Sequence, residues 1–174
     1  MRALRYPFGG VGRRLLLIAL LLAPLPVLAQ RSYSAIVSHV SDGDTLWVKP
    51  DGGGAPRKLR LDGIDAPEIC QSGGQEAREA LTRRVLHKEV RVSVRRNDDY
   101  GRGLARIELG GADVGALMVG AGHAWSYRWR RDPGPYAIEE TAARQARSGV
   151  FAAPGAEVPR DFRRRHGPCQ EARR

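Results

Sequence analysis

A chain of 174 residues with 29 Lys and Arg against 19 Asp and Glu carries a formal charge of +10 and a pI near 10.5. That length holds one ordinary domain rather than two, and 42% hydrophobic residues with 21 scattered glycines exclude a collagen-like repeat and a generic disordered chain. The basic excess points to phosphate-bearing polymers or anionic membrane surfaces, without choosing between them.

At the start of the chain Arg2, Arg5, Arg13 and Arg14 precede the apolar run Leu15 to Leu22, and Pro24, Pro26 and the small-residue site Val27-Leu28-Ala29 follow. This is the layout of a signal peptide over residues 1–29, cut after Ala29. Its apolar run is well short of the roughly 20 residues of a spanning helix. General export to the periplasm or the medium is expected, since the residues around Arg13-Arg14 match a twin-arginine signal poorly. Removing the peptide leaves 25 basic and 19 acidic residues, a net charge of +6. An exported chain meets an oxidising compartment, so Cys70 and Cys169, the two cysteines, are expected to bond and to staple the tail to the body. Two free thiols are the alternative.

The residues from Tyr33 to Val40 favour a strand, and Asp42-Gly43 turns the chain into Thr45-Leu46-Trp47-Val48. After the Gly-rich loop Pro50 to Pro56, Lys58-Leu59-Arg60-Leu61 alternates as a third strand. Gln75 to Leu86 places Ala77, Ala80, Leu81, Val85 and Leu86 at helical spacing. Val90, Val92 and Val94 alternate with polar residues as a fourth strand, and Leu104 to Leu109 reads as the fifth. Asp113 to Gly120 and Tyr136 to Arg147 read as the second and third helices, and from Pro154 onward prolines and arginines predict an extended tail held by Cys169. This strand order leaves an open sheet and a closed barrel equally available.

Four carboxylates fall in two tight groups at predicted strand ends, Asp42 with Asp44 and Asp65 with Glu68. If the two loops face each other, repulsion raises their pKa values unless a cation sits between them, and hard oxygen ligands select calcium or magnesium over zinc. The plainer alternative is that each group is a solvated turn. Arg60 leads into the second acid group and Arg102 stands between Gly101 and Gly103. Guanidinium groups fork onto two oxygens, so this pair suits a metal-bound phosphate, although each also fits a strand face or a hairpin turn. Arg128, Arg130 and Arg131 among aromatics suit a nucleic-acid path and a solvated loop equally. The four histidines are scattered and form no motif.

Asp42-Gly-Asp44-Thr45, Arg60-Leu-Asp-Gly-Ile-Asp65-Ala-Pro-Glu68 and Asp99-Tyr100-Gly-Arg102-Gly103-Leu104, in that order and at those spacings, resemble the thermonuclease family, the staphylococcal nuclease-like proteins. The resemblance spans Ala35 to Phe151 and implies an α+β, mainly β fold: a five-stranded OB-fold barrel packed with three helices. With the signal peptide and the tail set apart, a nuclease domain is expected at residues 30–153 and a Pro/Arg-rich tail, tethered by the disulfide, at 154–174. The resemblance further implies a monomeric, calcium-dependent phosphodiesterase acting on DNA and RNA, with 5′-hydroxyl and 3′-phosphate products. Carried over by position, Asp44 and Asp65 match direct calcium ligands, Ala66 offers its backbone carbonyl, and Asp42 matches an outer-shell acid. Glu68 matches the carboxylate that activates or orients the attacking water, Arg60 and Arg102 the phosphate clamps, and Tyr100 a contact to a terminal phosphate. Tyr127 is the candidate for stacking on a base. The loop Ile69 to Gly74 is shorter than the mobile loop of the best-known member, and Cys70 lies in it. A noncatalytic nucleic-acid-binding barrel is the alternative from another class, and a protein acting on an anionic envelope is a third that only the charge supports.

Overall fold

Strand alternation decides what the sheet encloses. In a computed structural model that describes residues 32–167 and 169, β1 (Ser32–Val40) turns Ala35, Val37 and Val40 inward. β2 (Thr45–Pro50) contributes Leu46 and Val48, and β3 (Arg57–Leu61) contributes Leu59 and Leu61. After the two-residue β4 (Ile64–Asp65) and the helix α1 (Gly74–Val85), β5 (Glu89–Asn97) buries Val90 and Val92 and β6 (Gly103–Leu109) buries Ala105 and Ile107. Each such Val, Leu or Ile contributes about 1.5–3 kcal/mol on burial, so one shared apolar interior stabilises the whole sheet. The signal-peptide reading and its cleavage after Ala29 lie outside the described residues.

The five long strands run β3-β2-β1-β5-β6, all antiparallel, and β3 then pairs parallel with β6 through Leu59↔Gly103, Arg60↔Leu104 and Leu61↔Ala105. The sheet therefore closes into a barrel, resolving the choice that strand order left open. Register shifts between Val37 and His39 in β1 and between Val94 and Arg96 in β5 supply the bends that closure needs. The apolar face of α1, with Ala77, Ala80, Leu81 and Val85, packs on this core.

β7 (Ala112–Asp113) precedes α2 (Val114–Gly120), whose first turn is capped by Asp113 accepting from the Gly115 and Ala116 amides. β8 (Trp125–Ser126) pairs with β4 and leads toward α3 (Ala137–Gln145). Trp125 and Tyr136 are buried. Trp125 packs edge-on against Phe151, and the Tyr136 hydroxyl donates to Asp113. Burial and the Asp113 charge push the Tyr136 phenol up to about 12.

The tail departs from the extended expectation. Pro159–His166 forms a fourth helix, α4, with Pro159 in its first turn, Asp161 near its N-terminus, and Arg163, Arg164, Arg165 and His166 in its last turn. A proline there costs no hydrogen bond, and the charges oppose the helix dipole at both ends. Before α4, Ala156 and Val158 pack against the cluster of Trp125, Ala143 and Phe151. The expected bridge is present: Cys70 and Cys169 are bonded with their Cα atoms 5.8 Å apart. Because it spans 99 positions, replacing both cysteines by serine is expected to lower stability by about 4.7 kcal/mol in the chain-entropy account. Denaturant unfolding of the two proteins checks this, and coincident midpoints would show that the bridge constrains little.

Candidate active site

The turn Ser41–Asp44 and the segment after β4 approach each other at the mouth of the barrel. Gly43 makes the approach possible: a Cβ there would lie 2.7 Å from the Cβ atoms of both Ala66 and Ala77. The Asp42 carboxylate accepts from the Asp44 amide at 3.0 Å, which holds the turn. Asp44 then reaches across, its Oδ2 accepting from the Ala66 amide at 3.1 Å. Gly74 fixes the other side, since a Cβ there would stand 1.9 Å from the Glu68 carbonyl oxygen. Gln71 also accepts from the Glu68 amide at 3.2 Å, so the loop behind Glu68 is pinned at two points.

Arg60 sits between the two acid groups. Its Nη2 donates to Asp44 Oδ2 and Asp65 Oδ1, both at 2.9 Å, and its Nη1 donates to the Ile64 carbonyl at 3.1 Å. Even so, the carboxylates feel their crowding. Burial, reinforced by the Asp44 charge, pushes the Asp42 carboxyl up to about 7. Burial and Asp44 also raise Asp65, against the opposing pull of Arg163 and Arg60. For Arg60 itself, burial works against the charge, but Asp44 and Asp65 outweigh it and raise its pKa.

Asp42, Asp44, Arg60, Ala66 and Glu68 line one cleft of about 560 Å³, together with Tyr100, Arg102 and Tyr127. Three loops from distant parts of the sequence thus meet in this cleft. Tyr127 is placed by its amide, which donates to the Gly63 carbonyl at 2.8 Å. Tyr100 is 84% exposed, with the Arg102 guanidinium 5.3 Å from its ring centroid. Asp65 does not line the cleft, and its side chain is only 5% exposed.

Two functional neighbours escaped the sequence reading. Asp98 accepts from the Tyr100 and Arg102 amides and from Arg102 Nε at 2.8 Å, so it shapes the turn that presents Arg102. Burial alone raises the Asp98 carboxyl, but the Arg102 side-chain and backbone hydrogen bonds outweigh it and hold the group below the usual carboxylate range. Arg163 of α4 donates to both oxygens of Asp65 and to Glu68. Arg128 has a partner that the sequence did not show: its guanidinium pairs with the buried Glu140, which also takes Arg144 and the Ser126 amide. Arg128 is thus tied to α3 through Glu140 although it stays exposed, as do Arg130 and Arg131.

A cation fits the donor chemistry. The converging groups are hard oxygens, and burial first, with the Asp44 charge second, raises the Asp42 and Asp65 carboxyls despite the nearby arginines. Among the described residues no three His, Cys, Asp or Glu side chains gather tightly enough to cage an ion alone. Carboxylates and backbone or solvent oxygens would have to share it.

The family model described as staphylococcal nuclease homologue matches residues 58–152. The chain belongs to that family. Protein ParB of Escherichia coli is 37% identical over 140 residues, which cover 74% of this chain and 77% of its own length. Micrococcal nuclease of Shigella flexneri is 35% identical over 140 residues, 74% of this chain and 79% of its own. An uncharacterized endonuclease of Haemophilus influenzae is 34% identical over 158 residues, 88% of this chain and 87% of its own. The family match contains Arg60, Asp65, Glu68 and Arg102; Asp42 and Asp44 precede it, and α4 with Arg163 follows it.

Proposed function

We propose that this protein is an exported, calcium-dependent nuclease that hydrolyses phosphodiester bonds of DNA and RNA, leaving 5′-hydroxyl and 3′-phosphate ends. The observation that carries the reading is the meeting, in one cleft, of two acid loops bridged by Arg60 with Glu68 and Arg102 beside them. Membership of a nuclease family and relatives bearing nuclease names support it. The basic excess suits a polyanionic substrate.

In this reading Asp44, Asp65 and the Ala66 carbonyl hold the ion, and Asp42 supports the Asp44 turn from behind. Calcium bound there supplies polarisation of a phosphoryl oxygen, and it lowers the pKa of water less than zinc does, so a protein base remains useful. Glu68, at the cleft surface, takes or orients the proton of the attacking water. Arg102 faces the charge that builds on the phosphate, and Arg60 holds the two acid loops at the spacing they need. Tyr100 and Tyr127 offer contacts to the terminal phosphate and to a base.

Degradation of denatured DNA by the purified protein, measured with calcium and again with a calcium chelator, tests the proposal. Chelation should stop degradation and added calcium restore it. Folded, disulfide-bonded protein that binds DNA but never cleaves it would favour a noncatalytic binding module instead.

A further inference from the structure

Arg163 approaches the acid cluster from α4, beyond the stretch that the family model matches. Its Nη1 donates to Asp65 Oδ1 at 3.2 Å and to Glu68 Oε1 at 2.8 Å, while Nη2 donates to Asp65 Oδ2 at 3.2 Å. Both oxygens of Asp65 and one of Glu68 are therefore engaged by a single guanidinium. Asp65, which also takes Arg60 Nη2, is almost wholly covered, whereas Asp44, Glu68 and Arg163 itself line the cleft.

The seat of this arginine is built, not incidental. Gln71, which holds the Glu68 amide, also donates to the Glu157 carbonyl at 2.7 Å, just before α4. Glu157 in turn pairs with Arg165 on the helix. Ala156 and Val158 seat the helix start on the Trp125 and Phe151 cluster, and the Cys70–Cys169 bridge fastens its far end to the loop behind Glu68. The same short loop thus positions Glu68 and holds the element that carries Arg163.

A guanidinium is permanently charged and forks onto carboxylate oxygens, so it satisfies the same oxygens that a divalent cation needs. We propose that Arg163 is a tethered competitor of the metal ion: it holds Asp65 and Glu68 closed, and calcium gains Asp65 only by displacing it. The proposal rests on the reading of Asp44 and Asp65 as calcium ligands. Because Arg163 is held on the same chain, it competes at an effective concentration on the order of millimolar, and the strength of this latch sets how much calcium the site requires.

Calorimetric titration of calcium chloride into the purified protein, with no nucleic acid present, tests the latch. Arg163→Met should bind calcium about tenfold tighter than wild type. Arg163→Lys keeps the charge but loses the fork, so it should tighten binding by a smaller factor; it carries the test if the methionine variant does not fold. Arg164→Gln removes a charge from the exposed side of the same helix and should change affinity by less than about twofold. Equal or weaker calcium binding in the Arg163 variants overturns the latch and leaves the metal reading standing. An equal gain in Arg164→Gln also overturns it, in favour of a general charge effect. Calcium binding by none of the proteins removes the metal reading and the latch together.

Discussion

Replacing Glu68 by glutamine should slow hydrolysis by about 10²–10⁴-fold, the range for losing a positioned acid or base, and should leave nucleic-acid affinity nearly unchanged. The substitution preserves shape. A glutamine oxygen can still accept from Arg163 Nη1, the contact made at 2.8 Å by the carboxylate. The backbone of residue 68 stays pinned by Gln71 and by the tight packing of Gly74 against its carbonyl. What disappears is the basicity and the negative charge facing the water, so the loss should fall on turnover rather than on binding. Single-turnover rates on denatured DNA at saturating calcium, with affinity measured separately by anisotropy of a labelled oligonucleotide, separate the two. Turnover close to wild type would remove Glu68 from the chemistry and leave it as a partner of Arg163 alone.

The long strands were legible from β-favouring residues and, in β3 and β5, from alternation such as Val90, Val92 and Val94, but their closure into a barrel was implied only by the family resemblance, because the β3–β6 pairing joins distant segments that no local pattern connects. The acid loops stood out because Asp-Gly-Asp and Asp-Ala-Pro-Glu combine turn chemistry with charge crowding; either group alone also fits a solvated turn, and only the motifs taken together pointed to a site. Pairs as short as β4 and β8 have too few residues to show any period, although their pairing sets Asp65 beside Trp125. In α3 hydropathy points the wrong way: Ile138 is exposed, while Glu140 is buried. A charge can be buried there because two arginines and a backbone amide satisfy it, a condition set by tertiary neighbours. α4 was obscured by the prolines in and around it, Pro154, Pro159 and Pro168, which signal extended chain when counted along a segment. Placed by position, Pro159 in a first turn, Asp161 near the start, four basic residues at the end and Gly167 after them are the marks of a helix. That Arg163 would meet Asp65, 98 positions earlier, is a contact that only the folded chain and its disulfide can specify.

Arg102→Ala should lower turnover by about 10²–10³-fold, the scale for removing one group aimed at developing charge, and weaken substrate binding by much less. The β5–β6 turn explains why this arginine is ready to act. Asp98 takes the Arg102 amide at 2.9 Å and its Nε at 2.8 Å, which fixes the side chain from its root while leaving both Nη groups without a protein partner among the described residues. Tyr100 lies beside the guanidinium and narrows its swing. Arg60, by contrast, has both Nη groups engaged by Asp44, Asp65 and Ile64, so removing it would disturb the acid loops and confuse structure with catalysis. Arg102 is therefore the cleaner test of electrostatic stabilisation. Lysine at this position should recover little, because a single ammonium cannot keep the Asp98 contact and present two donors to a phosphate. Rates and affinities for wild type, Arg102→Ala and Arg102→Lys decide the matter: an equal loss in affinity and in the single-step rate constant would make Arg102 a ground-state anchor, and full recovery by lysine would reduce its role to charge alone.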